Sequence, residues 1–400
     1  MTTSDEKTPR RYNFDEIVER NGTNCIKYDW RAKKGLSSDV IPLWVADMDF
    51  RTADEIIESL VKTARHGIFG YSDTDESYFT PIGEWFKRRF QATLKPEWLV
   101  KAPGVVYAIN TAIRAYSEEN DPVLIQSPVY HPFHSSVTVN KRRLVDNTLI
   151  YKDGKYTIDL NDFEDKIVKE KIGLFILCSP HNPVGRVWTR EELTAMGEIC
   201  LRHNCLVLAD EIHQDFVWGG REHHVFTELD PRFQEIAVVM TAPSKTFNLA
   251  GLNTSNIFIP NESLRKKFTK EVERTGVSQL SIMGLNASIA AYSHGYEWFD
   301  QLKDYLEKSI LYIESFFKNN LQELHLVKLE GTYLMWADFS RLNIKHEDLV
   351  KRLASDAKLW LSDGLGFGES GRDFQRINIA APLKTVSSAL ERLAAFVKSL

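Results

Sequence analysis

Four short, unbroken apolar runs punctuate the middle of this chain: Val123-Leu-Ile-Gln126, Gly173-Leu-Phe-Ile-Leu-Cys178, Cys205-Leu-Val-Leu-Ala209 and Ile236-Ala-Val-Val-Met240. Runs of this length without polar alternation read as strands buried on both faces. Helical patterns at residues 105–117 and 191–203 alternate with them. The alternation predicts an α/β fold built on a mostly parallel sheet. In such sheets, binding and catalytic groups gather in the loops beyond the strand C-termini. Several polar clusters of this chain occupy that kind of place.

The flanking regions read differently. The first fifty residues are irregular apart from a short amphipathic stretch near residues 14–20, with Trp30, Trp44 and Phe50 pinning the segment across a larger body. From residue 54, Ile56, Ile57, Leu60, Val61 and Ala64 recur at helical spacing. A loop rich in glycine and aromatics, Gly67-Ile-Phe-Gly-Tyr71, follows, and Pro81 suits the first turn of a second helix. Beyond residue 290 come a long helix over about 298–319, an extended stretch at 333–339, a helix over about 345–357, a strand at 374–380 and a helix at 386–397. These predict a smaller α/β domain with two strands. The expected organisation is an N-terminal segment, residues 1–50, packing with a small domain of residues 291–400, and a large domain of residues 51–290.

Composition excludes several classes of function. A chain of 400 residues with 43% hydrophobic content can bury a large core, and a formal charge of -5 without a basic stripe argues against a nucleic-acid partner. No apolar run is long enough to cross a bilayer. Cys25, Cys178, Cys200 and Cys205 lack zinc-ligand spacing, so reduced thiols, no metal and a cytoplasmic location are expected.

Five clusters carry chemistry-bearing residues. In Thr241-Ala-Pro-Ser244-Lys245-Thr-Phe-Asn248, a lysine just past a buried strand could neutralise a phosphate, cap a helix or form a Schiff base. Asp210, at the end of the third run in Asp210-Glu-Ile-His213, is costly there unless a cation meets it. It could cap a helix, pair with an arginine, or face a protonated pyridine nitrogen. In Cys178-Ser-Pro-His-Asn182-Pro-Val-Gly185-Arg, Asn182 sits in a proline-restricted turn. That turn is either plain structure or a mount that aims an amide at a ring oxygen. Tyr130, in Pro128-Val-Tyr-His131-Pro132, could stack on a planar ring or pack in the core. Pro103-Gly-Val105-Val106 opens a helix whose free amides could receive a phosphate. That segment carries neither the GxGxxG nor the GxxxxGK[ST] spacing, so the phosphate expected there belongs to something smaller than a dinucleotide. Near the C-terminus, Arg376 could clamp a carboxylate bidentately or form an ordinary ion pair.

Together, and in this order, these clusters resemble the fold-type-I pyridoxal-phosphate enzymes of the class I/II aminotransferase superfamily. Within it they are most similar to the MalY/PatB branch of carbon–sulfur β-lyases. The stretches carrying the likeness are Trp44-Val-Ala-Asp-Met-Asp-Phe50, Ser179-Pro-His-Asn-Pro-Val-Gly-Arg-Val-Trp188, Asp210-Glu-Ile-His213, Ala242-Pro-Ser-Lys-Thr-Phe-Asn-Leu-Ala-Gly251 and Gly331-Thr-Tyr333. The resemblance implies a large domain with a mostly parallel seven-stranded sheet and pyridoxal 5'-phosphate as cofactor. It also implies a homodimer in which Tyr71 reaches the neighbouring subunit's cofactor. By the same resemblance, Lys245 is the Schiff-base lysine, Asp210 the ring-nitrogen partner, Asn182 the donor to the ring oxygen and Tyr130 the stacking aromatic. Ser244 and the backbone at Val105 and Val106 form the phosphate cup, and Arg376, with Asn182 and His131, meets the amino-acid substrate. His213 stands where aminotransferases carry a tyrosine, as in the lyase branch. The implied reaction is β-elimination of L-cystathionine or L-cysteine to pyruvate, ammonia and a thiol or sulfide. Aminotransfer and a regulatory protein that merely binds the cofactor are the alternatives.

Overall fold

Valine, isoleucine, leucine and phenylalanine dominate the apolar runs, and such side chains pack well on a pleated surface covered from both sides. In the computed structural model, which describes residues 10–277 and 279–400, the runs form strands Pro122–Ile125, Leu174–Cys178, Leu206–Asp210 and Ala237–Thr241. Among the described residues they are the centre of a seven-stranded sheet. Its order is Leu99–Ala102, Ser255–Phe258, Ala237–Thr241, Leu206–Asp210, Leu174–Cys178, Pro122–Ile125 and Arg143–Asp146. Ser255–Phe258 runs antiparallel to both of its neighbours, and the remaining pairs are parallel. The mostly parallel α/β sheet expected from the sequence is present.

Register decides where the chemistry falls. Cys178 lies opposite Asp210, and Asp210 opposite Met240, so three central strands end in line. The loops carrying Asn182, His213 and Lys245 therefore leave the same edge of the sheet within a few residues of one another.

Three strands of this sheet lack an apolar run. Arg143–Asp146 lies at the sheet edge and is partly exposed, so it needs no continuous apolar face. Ser255–Phe258 is buried throughout, and both of its polar side chains find a partner, although Asn256 Nδ2 has none. Ser255 Oγ donates to Ala102 O at 2.8 Å, and Asn256 Oδ1 accepts from Tyr78 Oη at 2.7 Å.

Beyond the long helix Tyr296–Asn320, a second sheet orders His325–Leu326, Leu334–Asp338, Phe374–Asn378 and Ser362–Asp363, all antiparallel. The sequence suggested two strands here, but there are four. The two additional ones are two residues long, too short to leave a periodicity. The N-terminal segment adds Ile41–Pro42, which pairs in parallel with Leu359–Trp360.

Two further expectations need correction. Residues 14–20 are not helical; instead Phe14 is buried 5.4–5.9 Å from the rings of Phe50, Trp298 and Tyr305, and the helix of this region is Ile26–Lys33. Pro81 lies inside helix Glu76–Phe90 rather than opening it. Asp75 starts that helix one and a half turns earlier by accepting from Ser77 N at 2.9 Å, and that cap outweighs the proline's preference for a first turn.

Candidate active site

Residues 44–50 have little regular structure of their own, so their backbone carbonyls must find donors elsewhere. They find them on the site. Trp44 O accepts from Arg376 Nη2 at 2.8 Å and from Ser362 Oγ at 2.7 Å. Ala46 O accepts from Lys245 Nζ at 2.7 Å and Tyr333 Oη at 2.9 Å. Asn378 Nδ2 donates to Val45 O and Asp47 O, while Asn248 Nδ2 donates to Met48 O and Phe50 O. The segment is a strap laid across both sheets' functional ends.

Lys245 sits in a single helical turn, Pro243–Thr246, directly after strand Ala237–Thr241. Enclosure, followed by repulsion from Arg376, brings its amine down to about 8, against the pull of Asp47 and Asp210. Asp210 closes the adjacent strand and is buried. Burial pushes its carboxyl up to about 7, opposed by a 3.2 Å hydrogen bond from Ile212 N and by Lys245. No ion pair reaches Asp210 among the described residues. A buried carboxylate in that state demands a cation.

Arg376 is the complementary case. Its guanidinium is buried, donates from Nη1 to Asn182 Oδ1 at 3.0 Å and from Nη2 to Ser362 Oγ at 3.0 Å, and has no carboxylate partner among the described residues. Nε is buried without an acceptor, and the Phe367 ring lies 4.9 Å from Cζ. Burial lowers this group to about 10, still cationic at neutral pH. Because Asn182 uses its oxygen on Arg376, its Nδ2 protons are left to donate elsewhere.

Around these groups the remaining residues fall into place. A cavity of about 120 Å³ is lined by Val105, Val106, Tyr130, Asn182, Asp210, His213, Ser244 and Lys245, with Ala46 and Thr254. The expected residues Lys245, Asp210, Asn182, Tyr130, Ser244, Val105, Val106 and His213 thus share one wall-to-wall space. A larger cavity of about 930 Å³ opens from it and takes in Arg376 and His131 as well as Lys245 and Tyr130. Burial, then the charges of Lys245 and Arg376, holds His213 well below the usual imidazole range, so it is neutral at pH 7. His131 is lowered too, by burial first and then by Arg376 and His134. Tyr71 borders neither cavity and is 98% exposed.

The donor set fits pyridoxal phosphate. An amine near neutrality suits its aldehyde, and an unpaired buried carboxylate suits its ring nitrogen once protonated. Tyr130 offers an aromatic face. The helix Val105–Tyr116 begins at Gly104, where φ is 108° and no side chain caps the first amides. That uncapped N-terminus, beside Ser244 and Thr254, suits a phosphate. Among the described residues there is no cluster of three or more metal-ligating side chains. No helix among them is long and apolar enough to cross a membrane.

Residues 38–393 match the family described as aminotransferase class I and II. This chain belongs to that family. Among the family's curated relatives, the chain is 40% identical over 383 residues to cystathionine β-lyase PatB of Bacillus subtilis (strain 168), covering 96% of this chain and 99% of the relative. It is 34% identical to protein MalY of Escherichia coli (strain K12), covering 93% and 95%. Among solved structures of the family it superposes on cystalysin from Treponema denticola, which contains pyridoxal 5'-phosphate, with a TM-score of 0.94. The identity there is 34%, and 98% of this chain and 100% of that one are covered.

The site also gathers groups that the sequence alone did not assign. Ala46 and Trp44 act through backbone oxygens, which leave no residue-type signature. Ser362 reaches Arg376 from a two-residue strand. The Gly331-Thr-Tyr333 stretch did mark Tyr333, and Asn378 lies two residues from Arg376 on one strand, yet neither fact says which partner they meet.

Proposed function

We propose that the chain is a pyridoxal-phosphate-dependent carbon–sulfur β-lyase, acting on L-cystathionine or L-cysteine to give pyruvate, ammonia and the corresponding thiol or sulfide. The observation that carries the reading is Asp210, a buried carboxylate with no ion pair among the described residues, sharing one cavity with a lysine amine brought near neutrality. The relatives at 40% and 34% identity and the likeness to cystalysin support the lyase branch of the family.

Each side chain has a task under this reading. Lys245 Nζ would hold the cofactor through its aldehyde carbon and, as a free amine, would take the proton from substrate Cα. Asp210 would meet the ring nitrogen and favour its protonated form, and Asn182 Nδ2 would donate to the ring oxygen. Tyr130 stacks on the ring, while Ser244 and the amides at Val105 and Val106 hold the phosphate. Arg376 receives the substrate carboxylate bidentately and so sets which Cα bond stands perpendicular to the ring. His213, being neutral, leaves the cationic character of the site to Lys245 and Arg376. When bound, pyridoxal phosphate supplies the electron sink that lets Cα lose its proton. The net reaction would consume one water and give the thiol or sulfide, pyruvate and ammonia.

The active unit in this reading is a homodimer, with Tyr71 completing the phosphate site of the neighbouring subunit. Exposed Ile68, Phe69 and Tyr71, at 74%, 62% and 98%, give that loop an apolar surface in keeping with a subunit contact. With residues 51–290 and 291–400 as separate domains, the site lies between them under a strap from residues 1–50. Four unpaired cysteines suit a reducing, cytoplasmic setting.

Incubating the cofactor-loaded protein with L-cystathionine, L-cysteine and L-alanine separates the readings. A β-lyase releases pyruvate from the two sulfur amino acids with no keto acid added. Pyruvate formed from L-alanine, and only when a keto acid is supplied, identifies an aminotransferase instead.

A further inference from the structure

The cavity of about 930 Å³ that opens from Lys245 and Arg376 is far larger than the side chain of cysteine requires, and matches pockets that enclose a drug-sized molecule. Its character changes with distance from the reacting end. Beside Arg376, three indoles follow one another: Trp44 lies 4.3 Å from Trp360 at 19° and 6.3 Å from Trp30 at 29°, both stacked. All three line the cavity, and Trp30 remains 37% exposed. The ladder is rigidly tied to the clamp, because Trp44 O accepts from Arg376 and Leu43 N donates to Trp360 O at 2.8 Å.

The outer rim is cationic. Lys34, Lys351 and Lys358 line the cavity from three different segments, and none makes an ion pair among the described residues. Asp39 and Asp356 lie in the wider neighbourhood of Lys358, so Lys34 and Lys351 are the freer pair. The acid lining the cavity is Asp363, whose oxygens are engaged by His346 Nε2 at 3.2 Å and by Leu365 N at 3.0 Å. His131 faces the cavity as a neutral ring.

From this gradient we propose that the outer cavity is a specificity pocket for cysteine thioethers whose sulfur substituent is a flat apolar group ending in an anion. The inference rests on the β-lyase reading and deepens it. The amino-acid head meets Arg376 and Lys245, the flat group lies along the indoles, and the anionic end meets the lysine rim. Aromatic stacking is worth about 0.5–1.5 kcal/mol, or roughly 2- to 12-fold in affinity. An exposed lysine adds less and acts mainly on encounter.

Pyruvate release by the cofactor-loaded enzyme from L-cysteine, S-benzyl-L-cysteine and S-(4-carboxybenzyl)-L-cysteine tests this. The wild type is expected to rank them in rising kcat/KM. Trp360→Ala lowers kcat/KM for both benzyl conjugates by about tenfold, through KM, and leaves L-cysteine within about twofold. The surface double variant Lys34→Gln, Lys351→Gln, which does not touch the core, removes the advantage of the carboxybenzyl over the benzyl conjugate, about threefold to fivefold. Equal kcat/KM for the three substrates in the wild type, or a uniform fall for all three in Trp360→Ala, overturns the pocket while leaving the β-lyase reading intact. Absence of pyruvate from every substrate overturns that reading, and the pocket with it.

Discussion

A lysine amine ordinarily holds its proton far above neutrality, but at residue 245 enclosure and the nearby Arg376 bring it down to about 8. The neutral amine is the form that attacks an aldehyde. The rate at which cofactor-free protein captures pyridoxal phosphate, followed by its visible absorbance, should therefore rise with pH and level off just above 8. A rate still climbing towards pH 10 would mean an ordinary lysine. Asp210 makes a second prediction. Its folded carboxyl, at about 7, binds a proton more tightly than the unfolded chain does. The stability it carries is complete below the unfolded value of about 3.9 and is lost as pH rises through about 7, by up to about 4 kcal/mol. Asp210→Asn removes that loss, so at pH 8 the cofactor-free variant should unfold at higher denaturant than the wild type. The loaded variant should lose activity by about two orders of magnitude. Denaturation curves that coincide at pH 8 would contradict the account. Asp210 and Lys245 could be singled out from sequence because an ionic group at a buried strand end is costly wherever it occurs. Ala46 and Trp44 could not, since any residue supplies a carbonyl.

Strand Phe374–Asn378 and the strap of residues 44–50 work as one element. Asn378 Nδ2 donates to Val45 O at 2.5 Å and Asp47 O at 2.6 Å, and its Oδ1 accepts from Ala380 N at 2.9 Å. Asn378→Ala leaves those buried groups without partners, costing about 2 kcal/mol of stability in denaturant titration. It also loosens the carbonyl of Ala46 beside Lys245, so KM should rise while cofactor binding persists. Unchanged stability and KM would show that the strap holds itself. The elements most legible in sequence were those whose burial is continuous, strands Leu174–Cys178 and Ala237–Thr241. Ser255–Phe258 escaped because half its residues are polar and bond to residues more than 150 positions away, which no local pattern records. Pro81 misled for the opposite reason. Its local preference is strong, but Asp75 caps the helix upstream and the rest of Glu76–Phe90 buries Tyr78, Ile82, Trp85 and Phe86.

At the scale of the molecule, one sheet edge, a second sheet and an N-terminal strap converge on a single cavity, and the proposed dimer adds a fourth contribution through Tyr71. Mixing two inactive variants tests that addition. Tyr71→Ala and Lys245→Ala homodimers are each impaired. Exchange of subunits should restore activity, because one site of the heterodimer has both residues intact. No recovery after proven exchange would place Tyr71 outside its neighbour's site. The alternation of strands and helices made the fold class readable from sequence, whereas the strap joins residues hundreds of positions apart and the proposed subunit contact would join separate chains. The central claim is that the chain catalyses elimination rather than amino-group exchange, a reading that the lyase relatives support, since Lys245, Asp210 and Arg376 would serve either reaction. Its most direct measurement is the product stoichiometry from L-cystathionine in the presence of a labelled keto acid. The account predicts pyruvate and thiol in equal amounts, with the labelled keto acid unconsumed. Consumption of one keto acid per substrate, with the carbon–sulfur bond intact, would contradict it.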